Sequence, residues 1–168
     1  MKNKTIIIAE AGVNHNGNVD LEWEHLLSAP PSTVYSVYHS NNSNGPFLLL
    51  DSVMYPNNSY KHISNTYNAN NENQYYYLTS RSDCADESFS SDTLSTMLLN
   101  VIPINNNTVG VLSWNPIHTP NLNTSSPAYD IFAKDAFGSY QLVGSTSDLN
   151  FLFPAQTCNS YQSMYISL

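Results

Sequence analysis

From Val19 onward the chain alternates apolar and polar residues in short runs, each closed by Asn, Ser, Gly or Pro. Leu21 and Trp23 fall on one side of such a run, and Asp20, Glu22 and Glu24 fall on the other. Strict alternation places one face on a core and the other in solvent, the sign of an antiparallel strand. The same period runs through Tyr35 and Val37, and again through Tyr75, Tyr77 and Thr79. Residues 21–27 could tempt a helical reading, but Ala29-Pro30-Pro31 stops it, because proline has no N–H to offer a helix or a ladder. The pattern predicts strands joined by long polar turns. Upstream of Val19, an apolar run over residues 6–9 leads into a polar loop ending at Gly17.

The pattern also repeats. Leu21 and Trp23 correspond to Leu112 and Trp114 about ninety residues later, followed in the same order by Tyr35, Val37 and Tyr38 with Tyr129, Ile131 and Phe132. Gly45 then matches Gly138, Phe47 and Leu49 match Tyr140 and Leu142, and Tyr77 matches Tyr165. Asn115-Pro116 in the second copy stands where the first has its prolines. Two copies of one strand-rich unit imply an all-β chain of two tandem antiparallel β-sandwiches, over residues 18–102 and 103–168, after a segment of residues 1–17.

These signals resemble the fibronectin type III family, specifically the repeats in surface and gliding-motility-associated proteins of Bacteroidetes. The resemblance is carried by "VLSWNPIHTP", "YDIFAKDAFGSYQLVGST" and "YYYLTSRSDC". It implies immunoglobulin-like sandwiches with first-copy strands over 19–23, 34–39, 47–53, 60–63, 74–81 and 93–101. The second copy follows the same course and stops at Leu168, inside an expected strand, so a truncated second sandwich with an open edge is expected. The resemblance also implies an extracellular or cell-surface spacer or binding module, meeting a protein or glycan through its loops, its Tyr-rich strands or that open edge. In such relatives a cysteine before the strand matching 74–81 often faces one after it. Here Cys158 and Cys84 each keep a different half of that pair, and a bridge between them would have to cross between domains.

Composition narrows the partners. A formal net charge of −8 with five Lys and Arg in 168 residues cannot supply the clustered cations that phosphates demand, so no nucleic acid is expected. No apolar stretch is long enough to span a bilayer as a helix, and the opening Lys2-Asn3-Lys4 with its short apolar run, interrupted by Glu10, is too short for a signal peptide.

Candidate chemistry sits at the start. "KTIIIAEAGVNHNGN", over residues 4–18, resembles the amino-terminal motif of the sialic acid synthase family, which condenses phosphoenolpyruvate with N-acetylmannosamine in a metal-assisted reaction. That likeness implies a substrate-binding role for Glu10, with Asn14, His15 and Asn16 in the adjoining loop. A barrel site draws on the ends of several strands, and the chain lacks the alternating strands and helices that would supply them. The expectation is therefore an inert remnant, with residues 6–9 serving as an edge strand, no catalytic residue, no metal and no cofactor. His25, His39, His62 and His118 have no motif support as metal ligands. Trp23 and Trp114 are expected in the cores, and the acidic cluster Asp83, Asp86, Glu87 and Asp92 in a solvated turn.

Overall fold

The structure is a computed structural model, and it describes residues 9–13, 17–24, 29–63, 66–82, 85–104, 109–116, 118–119, 128–135, 137–154 and 163–167. Every regular element among them is a strand. In chain order these are β1 (Ala9–Val13), β2 (Val19–Trp23), β3 (Val34–Ser40), β4 (Leu48–Met54), β5 (Ser59–His62), β6 (Tyr75–Ser82), β7 (Ala85–Ser90), β8 (Thr93–Ser95), β9 (Asn100–Ile104), β10 (Val109–Ser113), β11 (His118–Thr119), β12 (Tyr129–Lys134), β13 (Tyr140–Thr146), β14 (Asn150–Pro154) and β15 (Ser163–Ser167). All their pairings are antiparallel. The chain forms two compact units, one of residues 1–98 with 117–121, the other of 99–116 with 122–168.

The first unit pairs a three-stranded sheet, β1-β2-β5, with a six-stranded sheet ordered β11-β8-β6-β3-β4, in which β7 also lies on β6. Alternation on β2 sends Val19, Leu21 and Trp23 inward and leaves Asp20 and Glu22 in water. From the other sheet, Tyr35 and Val37 on β3 and Tyr76 and Leu78 on β6 meet them, with Ala69 and Leu94 completing a continuous apolar interior. Trp23 is 2% exposed and its ring lies 5.6 Å from that of Tyr35. The inward set on β6 is thus Tyr76, Leu78 and Ser80, one residue out of phase with the Tyr75, Tyr77, Thr79 series. Three consecutive tyrosines satisfy either phase, and tertiary packing chooses.

The second unit repeats this plan with β9-β10-β14 and β13-β12-β15. Leu112, Trp114 and Phe153 face Tyr129, Ile131 and Ala133, and Trp114 lies 5.4 Å from Tyr129 as Trp23 lies against Tyr35. Close approach of its two sheets is visible at Gly144 on β13, where an added Cβ would come within 2.4 Å of the Phe151 ring on β14.

Matched residues occupy matched positions down to the irregularities. Tyr38 pairs with Leu49 and Tyr77, as Phe132 pairs with Leu142 and Tyr165. One residue bulges out of register in each copy, next to Val37/Tyr38 and next to Ile131/Phe132. Gly45 and Gly138 both take positive φ, 78° and 88°, in the turns before β4 and β13, a conformation that a Cβ makes costly. The backbone N–H of Trp23 donates to Asn58 O at 3.0 Å, and that of Trp114 donates to Leu149 O at 3.0 Å.

Residues 93–101 do not form one strand. β8 ends at Ser95, and Thr96 then closes onto Gln74: its N–H donates to Gln74 O at 2.8 Å, and its hydroxyl accepts the Gln74 N–H at 2.9 Å. Pairing resumes at Asn100, but on β10, so β9 is the first strand of the second unit, in the place β1 holds in the first. The single strand that the resemblance implies is two, one in each unit.

Candidate functional site

Glu10 lies on β1, its Cα opposite Glu22 of β2, in a hairpin whose register runs from Ala9 with Trp23 to Val13 with Val19. Residues 9–13 of the motif are therefore an antiparallel strand on one side of β2. Residues 6–8, Asn14, His15 and Asn16, and both Cys84 and Cys158, lie outside the described residues. Gly17 closes the hairpin with φ 73°. Among the described residues no group of three or more His, Cys, Asp or Glu could hold a metal, and no helix is long and apolar enough to cross a membrane.

The interior of the first unit does contain a polar constellation that no motif announces. His39 continues the inward series Tyr35, Val37 on β3, and His62 continues that of Tyr60 on β5, so the two imidazoles meet from opposite sheets with ring centroids 4.8 Å apart. Tyr76, the Cα partner of His39, packs 5.1 Å from His39 and 5.8 Å from His62, and Tyr67 stands 5.2 Å from His39. His39 Nε2 is 2.7 Å from Gln74 Oε1, which only accepts, so this nitrogen carries the proton. His62 Nδ1 is 2.8 Å from the Tyr76 hydroxyl. Burial, reinforced by Tyr60, pushes the Tyr76 phenol well above its ordinary range, so it keeps its proton and meets His62 as a neutral hydroxyl. Burial and the neighbouring His39 bring His62 down to about 4. Burial lowers His39 as well, outweighing its bond to Gln74 and the attraction of Glu72. Two neutral imidazoles thus each take one polar partner, His39 the Gln74 amide and His62, across the sheets, the Tyr76 phenol.

Outward surfaces divide sharply between the units. On the six-stranded sheet, the Tyr38 and Tyr77 rings stack at 4.7 Å and 6°, and Phe47 meets Tyr77 edge-on at 5.0 Å. This row ends at edge strand β4, where Leu48 and Leu49 are 66% and 55% exposed. On the three-stranded sheet of the first unit, the outward positions include Asp20, Glu22 and Lys61, with Lys61 Nζ 3.2 Å from Asp20. Register-matched positions in the second unit carry Val111, Ser113 and Leu152, and Ile102 lies beside Val111. The Asp20–Lys61 charge pair of one copy is replaced by the aliphatic side chains Val111 and Leu152 on the other.

No described protein family matches the chain, and neither does any curated protein. Among solved structures it is similar to the chicken CNTN1 FN1–FN3 domains, at 13% identity over 88% of this chain and 55% of that one, with a TM-score of 0.44. It is also similar to a two-domain fibronectin type III segment from chicken tenascin, at 9% identity over 88% of this chain and 81% of that one, with a TM-score of 0.36. The chain spans little more than half the length of the first. Its all-β, antiparallel architecture stands on the pairing registers themselves.

Proposed function

We propose that the chain is a non-enzymatic β-sandwich repeat protein, a spacer that also binds a protein or glycan outside the cell or at its surface. The supporting observation is the outward aromatic row of Phe47, Tyr77 and Tyr38 leading to Leu49 on an edge strand. Aromatic side chains on a rigid sheet offer large contact area at low entropic cost, and an edge strand adds backbone donors and acceptors for an extended partner. The chemically capable interior groups hold the two sheets together. His39 bonds to Gln74, His62 bonds to Tyr76, and the tryptophans fill the cores.

The test is binding of the intact chain to immobilised glycans and extended peptides, with Tyr77→Ser as the variant. Removing a central aromatic contact should weaken binding by at least about tenfold, or about 1.4 kcal/mol. Equal binding by the variant would overturn the assignment to this face. The enzymatic alternative, a sialic acid synthase fragment, predicts phosphoenolpyruvate consumption with N-acetylmannosamine and manganese. Turnover that vanishes in Glu10→Ala would displace the binding-module reading.

A further inference from the structure

We propose that His39 and His62 form an acid-sensitive latch in the first unit: neutral, they close one end of the sandwich, and protonated, they part the sheets there and free residues 66–74 of the connection between β5 and β6. The geometry has three components. The imidazoles come from different sheets and approach ring to ring at 4.8 Å, so two positive charges placed there would repel across the interface that joins the sheets. Each ring is tied to the β5–β6 connection or to the start of β6, His39 through Gln74 and Tyr67 and His62 through Tyr76. The same connection holds the turn before β2, where the Ala69 N–H donates to Gly17 O at 3.2 Å.

The groups facing the pair offer little compensation. Tyr60 on β5, Tyr67 on the connection and Tyr76 on β6 are phenols; Glu72 is the carboxylate acting on His39, while Asp51 acts on Tyr60 rather than on either imidazole. A second proton on His62 would also make both of its ring nitrogens donors, so the contact with the Tyr76 hydroxyl would survive only with the phenol oxygen accepting.

The sign follows from the direction of both shifts. A histidine held below its unfolded value of 6.5 binds fewer protons folded than unfolded, so stability is full above about pH 6.5 and is lost as pH falls toward about 4, where His62 titrates in the folded chain. One imidazole changes the folding equilibrium by at most about tenfold per pH unit, so two acting together exceed that.

Denaturant unfolding of the full chain between pH 7.5 and 5 should show the folded-to-unfolded ratio of the first unit falling more than tenfold per pH unit below pH 6. The slope should drop to tenfold or less in His39→Gln and in His62→Gln, and should flatten in the double variant. A flat wild-type profile, or an unchanged slope in the double variant, would overturn the latch. If a variant does not fold, the wild type still decides by NMR: the His62 imidazole should remain neutral at pH 5.5 and take its proton at about pH 4, and a His62 titrating near 6.5 in the folded chain defeats the idea. Hydrogen exchange at about pH 4, where His62 takes its proton, should open the amides of Ala69 and Asn71 before those of β3. Uniform loss across the unit would mean that acid lowers global stability without releasing the connection, and would likewise overturn the proposal.

Discussion

Trp23→Ala should cost the first unit about 3–5 kcal/mol, enough to remove most of the stability of a unit this size, whereas Trp23→Phe should cost about 1–2 kcal/mol. The large figure follows from position. Trp23 sits at 2% exposure between the two sheets, packed on Tyr35, and truncation leaves a cavity that strands pinned on both sides of β2 cannot collapse into. The smaller figure follows from chemistry. The indole Nε1 is buried and makes no hydrogen bond, as is that of Trp114, so phenylalanine removes volume and an unsatisfied donor together. The strand itself is held by backbone bonds that substitution leaves alone: Trp23 N–H to Asn58 O, and Asn58 Nδ2 to Trp23 O at 3.0 Å.

The measurement is favoured by composition, because the chain has two tryptophans, one per unit. In Trp114→Phe the fluorescence of Trp23 follows the first unit, and in Trp23→Phe that of Trp114 follows the second. Trp23→Ala should leave the Trp114 transition in place while circular dichroism loses the first unit's contribution. A Trp23→Ala chain whose first unit unfolds within about 1 kcal/mol of wild type would show that this interior is not the one that holds the sheets together.

Much of this architecture is readable from alternation alone. Val19, Leu21, Trp23 and Tyr35, Val37 announce their inward faces, and the duplicated order places Trp114, Tyr129 and Ile131 in the second core by analogy. What alternation does not contain is the identity of a strand's neighbour. The family resemblance implies one strand over residues 93–101, yet Thr96 turns back to Gln74 and Asn100 opens the first strand of the next unit. The histidine pair was half legible. Parity puts His39 on the side of Tyr35 and Val37, and His62 on the side of Tyr60, which already marks both as inward. That they meet depends on two sheets closing over a separation of 23 residues, and no local spacing encodes it. Tyr77 shows the opposite case: its parity is hidden among three tyrosines, and only pairing with Tyr38 assigns it to the outer surface.

Gly17→Ala should destabilise the first unit by about 2–4 kcal/mol, a large effect for one methyl group, and it bears on what the opening motif is for. Gly17 holds φ at 73°, where a Cβ costs about 1–2 kcal/mol, and that Cβ would stand 2.0 Å from Asn68 Oδ1. Asn68 cannot simply swing away, since Oδ1 accepts the Asn70 N–H at 2.9 Å in a turn whose next residue, Ala69, donates to Gly17 O. Displacing it forfeits about 0.5–1.5 kcal/mol for that bond and disturbs the buried Ala69. A double-mutant cycle separates the two terms. In an Asn68→Ala background the Gly17→Ala penalty should shrink to the backbone strain alone, giving a coupling of about 1 kcal/mol or more read from denaturant midpoints. Zero coupling would mean that Asn68 yields freely and the glycine is kept only for its backbone angle. In either outcome the glycine of "NHNG" closes the β1–β2 hairpin, in which residues 9–13 cover β2 as an antiparallel strand.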